Sequence, residues 1–253
     1  MDRVLILTLV KDAARRLETY FAALARLTYR ADHLSLGLLE GDSRDDSYAI
    51  LAARLPDLQR RYRRARLWKR DFGFRIPEGM PRWAPVLQIP RRSVISRSRN
   101  HLLSRALDDE DWVLWVDVDV VEYPADIVER LLAAGRDIVH PHCVKRYGGP
   151  TFDLNAWRNR GRVHMHDLRG GPDLVRLDAV GGTMLLVRAD VHRDGLIFPP
   201  YLYGRHSPLV RDPNPWCPTT VGELDTEGLG IMAHDMGYQC WGLPNLEIRH
   251  ADE

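Results

Sequence analysis

Several features that other protein classes need are scarce or absent in this 253-residue sequence. Its three cysteines, Cys143, Cys217 and Cys240, are odd in number and lack metal-pair spacing, which argues against a disulfide framework or a structural zinc site. No run approaches the roughly 20 apolar residues that span a bilayer. The N-terminus also lacks the pattern of a signal peptide. We therefore expect a protein without a membrane span, located in a reducing cytoplasm.

The sequence also lacks an excess of charge of either sign. Lys and Arg number 36 and Asp and Glu 35, so no overall field attracts nucleic acid or an anionic membrane. Arginines do cluster in the segment 60–66. A solvated helix end is the favoured interpretation of this cluster, and an RNA-binding surface is the alternative. The prediction is a protein that binds no nucleic acid.

The common glycine-rich phosphate motifs are missing as well. Neither G-x-G-x-x-G nor G-x-x-x-x-G-K-[ST] occurs, which argues against a dehydrogenase or a P-loop NTPase. A nucleotidyltransferase, another enzyme with acidic metal sites, normally has glycines after its first strand, and Thr8–Ala13 contains none. Phosphate neutralisation is then left to a metal ion and to arginines.

Strand and helix patterns alternate through the first half of the chain, which predicts an α/β fold with a mostly parallel central sheet flanked by helices. In the second half, a proline-rich segment at 198–218 is predicted to be an irregular loop, either a binding loop or an inert excursion. We expect one domain over 1–253. The predicted strands are 4–10, 33–40, 65–72, 112–116, 180–187 and one or two within 240–249. The predicted helices are 12–27, 46–62, 93–107, one with Pro124 near its first turn, and 223–236.

The strongest chemical signal is a pair of acids, Asp117 and Asp119, directly after the apolar run Trp112–Val116. In open α/β sheets, ligands bind beyond the carboxyl ends of strands, where this pair falls. Two carboxylates so close repel unless a cation or proton lies between them. Carboxylate oxygens suit Mg²⁺ and Mn²⁺, which in turn bind diphosphate oxygens. The pair therefore predicts a divalent metal site.

Residues at the ends of the first two predicted strands, most of them polar, are candidates for contacts to a nucleoside. Two further polar residues open the helix before the acidic pair, where an arginine can make bidentate contacts to phosphate. Ordinary helix capping is the alternative for the latter two. In order, these candidate donor-binding residues are Thr8, Leu9, Glu40, Asp42, Arg99 and Asn100.

The histidines give a weaker signal. His140 and His142 are separated by one residue, as are His164 and His166. No third ligand follows either pair at the spacing of a known zinc motif, so we expect no zinc site there. His250 follows a predicted strand that would hold it in a fixed position.

Taken together, the motifs resemble a known family, the fungal Golgi mannosyltransferases of the Anp1/Van1 mannan polymerase type (glycosyltransferase family 62), which have a GT-A fold. The matching segments occur in family order along nearly the whole chain. They are Val4–Thr8, Arg99–Leu103, Trp112–Asp119, Phe152–Trp157, Asp178–Val187, Asp225–Gly228 and Gly242–Asn245.

This resemblance implies a glycosyltransferase, specifically a mannosyltransferase, that retains the α configuration. It implies GDP-mannose as donor, Mn²⁺ (or Mg²⁺) as cofactor and a glycan or other hydroxyl compound as acceptor. Another nucleotide sugar, a nucleotidyltransferase activity, and a silent sugar-nucleotide binder are the alternatives. Because the chain shows no membrane anchor, we expect a bacterial cytoplasmic member of the family.

The resemblance also assigns roles residue by residue. The metal ligands are Asp117, Asp119 and His250; the residues in donor-binding segments are Thr8, Arg99, Asp117, Gly181 and Gly182; and the acids that face the sugar are Asp225 and Glu227.

Overall fold

The computed structural model describes residues 1–81, 84–215 and 221–251. The strands within these residues are β1 (Val4–Val10), β2 (Leu34–Glu40), β3 (Arg64–Lys69), β4 (Trp112–Val116), β5 (Val120–Glu122), β6 (Ile138–Val144), β7 (Trp157–Arg158), β8 (Val163–His164), β9 (Val175–Leu177), β10 (Met184–Arg188) and β11 (Cys240–His250). The α-helices are α1 (Leu17–Ala25), α2 (Ser47–Arg61), α3 (Pro85–Ala106), α4 (Ile127–Ala133), α5 (Ala189–Arg193) and α6 (Asp225–Asp235).

Nine of the described strands form a central sheet in the order β3–β2–β1–β4–β10–β6–β11–β5, with β9 beside β11, and β7 and β8 pair separately. The strands β3, β2, β1 and β4 are parallel, and β1, β2 and β4 are largely apolar, as is typical of strands buried on both faces. In the second half, β10 enters antiparallel between β4 and β6. The predicted α/β fold, a large sheet flanked by helices, is confirmed.

Helix α3 is longer than predicted. The expectation was a helix over 93–107, because prolines usually interrupt helices, but the structure begins it at Pro85. Proline is well suited to the first helical position, and Pro90 costs the helix one backbone hydrogen bond near its start. Buried side chains farther along, such as Leu102 and Leu103, fix the helix against the sheet. The extra turns carry several residues of the site described below.

Strand β11 closes the sheet next to the acidic pair. It runs parallel to β6 and pairs antiparallel with β5, which begins directly after the pair. His250 lies opposite Val120 in this pairing. Strand β6 was not predicted, because His140, Pro141 and His142 interrupt its apolar pattern, although all seven of its residues are buried.

The arginine cluster at 60–66 is largely neutralised. Arg63 and Arg64 form ion pairs with the acidic segment 108–110, and Arg60 pairs with Asp57. These contacts favour a solvated surface over a site for RNA phosphates.

The remaining expectations concern cysteines, membrane spans and the proline-rich loop. Cys143 and Cys240 are buried and carry no disulfide, while Cys217 lies outside the described residues. The helices of the described part are all too short or too polar to cross a membrane. The loop at 198–218 has no helix or strand over 198–215, and its remainder also lies outside the described residues.

Candidate active site

Two adjoining cavities open at the carboxyl ends of β1, β2 and β4. The larger has a volume of about 560 Å³ and the smaller about 330 Å³. Both open beside the acidic pair, as expected for an α/β sheet. They share five lining residues: Arg91, Ile95, Asp117, Asp119 and His250.

The acidic pair lies in a tight turn between β4 and β5. The backbone N–H of Asp117 donates to the carbonyl of Thr183 (2.9 Å), and the N–H of Val120 donates to the carbonyl of Asp117 (3.0 Å). The side chains of Asp117 and Asp119 are 38% and 35% exposed toward the cavities. The turn therefore presents both carboxylates where the cavities meet.

Four carboxylates surround this junction. Although the side chain of Asp117 borders the cavities, burial raises its pKa to about 7, and the nearby carboxylates of Asp119, Asp153 and Asp225 act in the same direction against Arg99. Two guanidinium groups lie near these carboxylates: Arg99 Nη2 is 3.5 Å from Asp117, and Arg16 Nε is 3.8 Å from Asp119. The raised pKa of Asp117 shows that they do not fully offset the carboxylates, so the junction favours an additional cation.

Arg99 is the buried counter-charge on the side of the smaller cavity. Its Nη1 donates to both carboxylate oxygens of Asp225 (2.7 Å each), and its Nη2 lies 3.5 Å from Asp117. Ser96 Oγ donates to Asp225 as well (3.2 Å). A side chain at Gly182 would collide with the Arg99 guanidinium, which explains the glycine there. Arg99 thus connects the acidic pair to the acid predicted to face the sugar.

His250 has a fixed orientation. Its ring stacks on Phe152 with the centroids 3.5 Å apart and the planes 10° apart. Its Nδ1 lies 2.7 Å from the carbonyl of Ala251, and since a carbonyl only accepts, Nδ1 is the protonated nitrogen. In a neutral ring the lone pair is then on Nε2, as a metal ligand requires.

An irregular segment after β3 forms the apolar wall of the larger cavity with Phe72, Phe74 and Ile76. Asp42 fixes this wall, because its two carboxylate oxygens accept the backbone N–H groups of Phe72 and Gly73 (2.9 Å each). Lys11 Nζ donates to the carbonyl of Phe74 (2.8 Å). The sequence had predicted that the strand continues to Phe72, whereas β3 ends at Lys69.

Asp153 is a residue of the smaller cavity that the site predictions missed. Its Oδ2 accepts the backbone N–H groups of Gly182 (2.9 Å) and Thr183 (3.2 Å) and the hydroxyl of Thr183 (3.1 Å). A side chain at Gly181 would overlap this carboxylate. The only sequence signal was its place in the family-like segment Phe152–Trp157, since its partners are about 30 positions away.

The structure brings most of the predicted residues to the cavities, but five of them do not line either one. Thr8 Oγ1 donates to the carbonyl of Val116 (2.8 Å) and so connects β1 to β4. Asn100 holds both the N–H and the carbonyl of Phe198. These two side chains shape the walls of the site from behind.

The other three residues are also turned away from the cavities. Glu40 is buried and accepts the N–H of Ser43 (3.1 Å). Gly181 packs behind Asp153. Glu227, one of the two predicted catalytic acids, is fully buried in ion pairs with arginines. Of that pair, Asp225 alone lines a cavity.

Three predicted metal ligands, Asp117, Asp119 and His250, border the same junction. They do not by themselves form a closed ligand set: over 1–81, 84–215 and 221–251, no three His, Cys, Asp or Glu side chains are grouped closely enough to hold a metal ion. The oxygen and nitrogen donors of Asp117, Asp119 and His250 are nonetheless of the kind that Mn²⁺ accepts.

A family model described as Anp1 matches residues 1–163 and 159–202. The chain belongs to the Anp1 family. The resemblance drawn from the motifs is thereby confirmed at the level of the family.

Curated relatives in the Anp1 family include two mannan polymerase II complex subunits. The anp1 subunit of Schizosaccharomyces pombe is 28% identical to this chain. The alignment covers 100% of this chain and 64% of the subunit. The ANP1 subunit of Saccharomyces cerevisiae is also 28% identical, and the alignment covers 100% of this chain and 55% of that subunit. The chain thus spans about 55–64% of the length of these relatives. Both are fungal, so they give no support to the expected bacterial origin.

Solved structures show that this Anp1-family chain has the GT-A glycosyltransferase fold. A mannosyltransferase from Pyrobaculum calidifontis, in complex with GDP-Man and Mn²⁺, is 16% identical with a TM-score of 0.57 over 99% of this chain and 57% of that one. GalNAc-T7 with UDP, GalNAc and Mn²⁺ is 12% identical, with a TM-score of 0.58. That alignment covers 100% of this chain and 44% of the GalNAc-T7 chain.

Proposed function

We propose that this protein is a metal-dependent retaining glycosyltransferase that transfers mannose from GDP-mannose to the hydroxyl group of a glycan or another acceptor. The observation that carries the proposal is the position of Asp117 and Asp119 at the junction of two cavities. A transferase for nucleotide sugars needs one compartment for the nucleotide and one for the acceptor, with the scissile bond where they meet.

The larger cavity suits a nucleoside diphosphate. Its apolar wall offers aromatic rings to a base, and four cationic side chains provide charge for a diphosphate. The basic residues that line it are Lys11, Arg16, Arg70 and Arg91. The mannosyltransferase from Pyrobaculum calidifontis, which was solved with GDP-Man, supports the choice of donor, as do the mannan polymerase subunits.

The donor set at the junction fits a divalent ion. Asp117, Asp119 and the Nε2 atom of His250 would hold it. When bound there, it would supply Lewis-acid stabilisation of the charge that develops on the leaving diphosphate. The protein itself orients the carboxylates through the turn after β4 and orients His250 through the carbonyl of Ala251.

The smaller cavity suits the sugar and the acceptor. Transfer breaks the bond from the anomeric carbon to the phosphate oxygen and forms a bond to the acceptor oxygen, which loses its proton. The transition state has oxocarbenium character, by analogy with glycoside hydrolysis. Asp225 lines this cavity and is the acid placed to support that positive charge, as a nucleophile or electrostatically.

The proposal is tested with a panel of GDP-mannose, UDP-glucose and UDP-N-acetylglucosamine, each with and without Mn²⁺. We expect donor hydrolysis or transfer with GDP-mannose and Mn²⁺ alone. GDP with Mn²⁺ should also raise the melting temperature more than UDP with Mn²⁺, because a ligand stabilises the state that binds it. Stronger stabilisation by UDP would remove mannose from the proposal, and no turnover of any donor would remove the enzyme activity.

A further inference from the structure

A second charged cluster lies against the smaller cavity. It contains two arginines and two glutamates, all of which are at most 9% exposed. The four residues are Arg92, Arg211, Glu223 and Glu227, called here the buried ion network. Only Arg92 also lines the cavity; the carboxylates of the network do not reach either one.

Glu227 is the centre of the network. Its Oε1 lies 2.5 Å from Arg211 Nη2 and accepts the indole N–H of Trp157 (3.0 Å). Its Oε2 lies 2.5 Å from Arg92 Nη2. Because Glu227 is fully buried and lines neither cavity, its carboxylate does not contact a substrate directly.

Glu223 forms the other half of the network. Arg211 donates through Nε to Oε1 (2.8 Å) and through Nη2 to Oε2 (2.7 Å), a bidentate pair, and Asn214 Nδ2 donates to Oε2 (3.2 Å). Burial raises the pKa of Glu223 and the Glu227 carboxylate adds to the effect, against Arg211. Arg211 thus ties the loop before α6 to both glutamates.

Asp225 lies between the two glutamates and has an unusual backbone conformation. Its φ is +56°, in the left-handed region that an aspartate adopts at an energetic cost. Arg92 Nη2 donates to the carbonyl of Leu224 (2.9 Å), and the N–H of Asp225 donates to the carbonyl of Pro199 (3.0 Å). The backbone is therefore fixed immediately before the strained residue.

We infer that the buried ion network is a positioning device: Glu227, through Arg92 and Arg211, holds Asp225 in its left-handed conformation so that its carboxylate faces the smaller cavity. The inference rests on the proposed function for the role of Asp225 in transfer. Glu227 is then a positioning residue rather than a catalytic one, which separates the two acids that the sequence had treated as equivalent.

Physical chemistry favours this role over a purely stabilising one. Burying charges costs solvation energy, and well-packed apolar residues often replace a buried ion pair without loss of stability. Both arginines make directional contacts to residues around Asp225, and such contacts can fix the φ angle of Asp225. Apolar packing, which is not directional, cannot do so. The two positive and two negative charges also balance, so the network places no net charge beneath the cavity.

The test is Glu227→Gln, which keeps the shape of the side chain and removes its charge. We expect kcat to fall by at least about tenfold, since small misplacements of catalytic groups have effects of this size or larger. The dissociation constant for GDP with Mn²⁺ should change by less than about threefold, because the nucleotide occupies the other cavity. Crystal structures of the wild type and the variant should differ in φ at Asp225 or in its contact with Arg99.

The matched control is Asp137→Asn, which removes the charge of an exposed ion pair with Arg188. It should leave kcat, affinity and the Asp225 backbone unchanged. If Glu227→Gln lowers activity only in proportion to the folded fraction and leaves Asp225 in place, the network is merely structural and the inference is wrong.

A second variant covers the case in which Glu227→Gln does not fold. Trp157→Phe retains an aromatic ring for the guanidinium of Arg211, which lies 5.0 Å from the indole, and removes the N–H bond to Glu227 together with one ring of the buried indole, so melting temperature is measured alongside activity. We expect a smaller decrease in kcat with unchanged GDP affinity; an unaltered kcat and an unmoved Asp225 would overturn the inference. If the wild-type protein turns over no nucleotide sugar, the proposed function fails, and the variant crystal structures decide the positioning role by themselves.

Discussion

The backbone N–H of Ala251 donates to the carbonyl of Asp119 at 2.8 Å. This bond connects the end of β11 to the second acid of the pair, and the carbonyl of Ala251 in turn holds the ring of His250. The segment after β11 is thus part of the site.

We expect His250→Ala to raise the Mn²⁺ concentration for half-maximal binding by at least about tenfold, because the loss of a ligand weakens a metal site. Truncation after His250 should have a similar but smaller effect, since it removes the Ala251 contacts. Mn²⁺ binding measured by electron paramagnetic resonance checks both variants. His234→Ala, an exposed histidine on α6, is the control. Superimposable titrations of His250→Ala and the wild type would leave the two aspartates as the protein ligands.

We expect Asp119→Asn to reduce the transfer rate on the order of a thousandfold, the loss that follows from several kcal/mol of lost transition-state stabilisation. The fold should remain intact, because the side chain is partly exposed and its removal lessens repulsion with Asp117. Turnover and melting temperature are measured together. Asp190→Asn, on the surface of α5, is the control. Near-normal turnover at saturating Mn²⁺ would contradict the metal assignment.

We expect Asp42→Asn to raise the KM for the donor roughly tenfold with little change in kcat. The amide nitrogen of asparagine cannot accept one of the two backbone N–H groups, and a lost hydrogen bond to a charged group is worth about 1.5 kcal/mol. The apolar wall would then be free to move away from the base. Steady-state kinetics of this variant and of Asp57→Asn, an exposed control, separate the parameters. A decrease in kcat at unchanged KM would show that Asp42 has a different role.

The stability of the protein should fall as the pH decreases from about 6.5 to 4. Burial lowers the pKa of His192 to about 4, so the folded state binds fewer protons than the unfolded state in this interval. The shift corresponds to about 3 kcal/mol of unfolding free energy for full protonation. Urea unfolding at several pH values is the measurement, and His192→Gln should reduce the slope. An equal slope in wild type and variant would assign the effect to other groups.

The sequence predicted the bounds of an element correctly where neighbouring residues alone determine them. Strand β4 has the predicted bounds, Trp112–Val116, because a short buried strand needs little more than its own apolar run. The start of α3 was predicted too late because prolines such as Pro85 and Pro90 usually interrupt helices. In the structure, packing against the rest of the molecule stabilises the helix from Pro85 onward. Local patterns do not contain such tertiary contacts.

Within the site, Asp117, Asp119, Asp225 and His250 were predicted and lie at the cavities, whereas Asp153 was not. The difference is again one of distance along the chain. The acidic pair follows a strand directly, but Asp153 acquires its role from backbone groups at 182 and 183. The distinction between Asp225 and Glu227 likewise depends on arginines more than 100 positions before them or in a preceding loop.

Helix α3 makes up part of both cavities. Val94 and Ser98 face the larger one, Arg92 and Arg99 the smaller, and Arg91 and Ile95 both. Because a helix moves as a rigid unit, a ligand that shifts it from one side changes the shape of the space on the other. The affinities of the two ligands are then thermodynamically coupled, and by linkage the coupling is equal in both directions. A ligand in one cavity can therefore influence the other cavity through this helix.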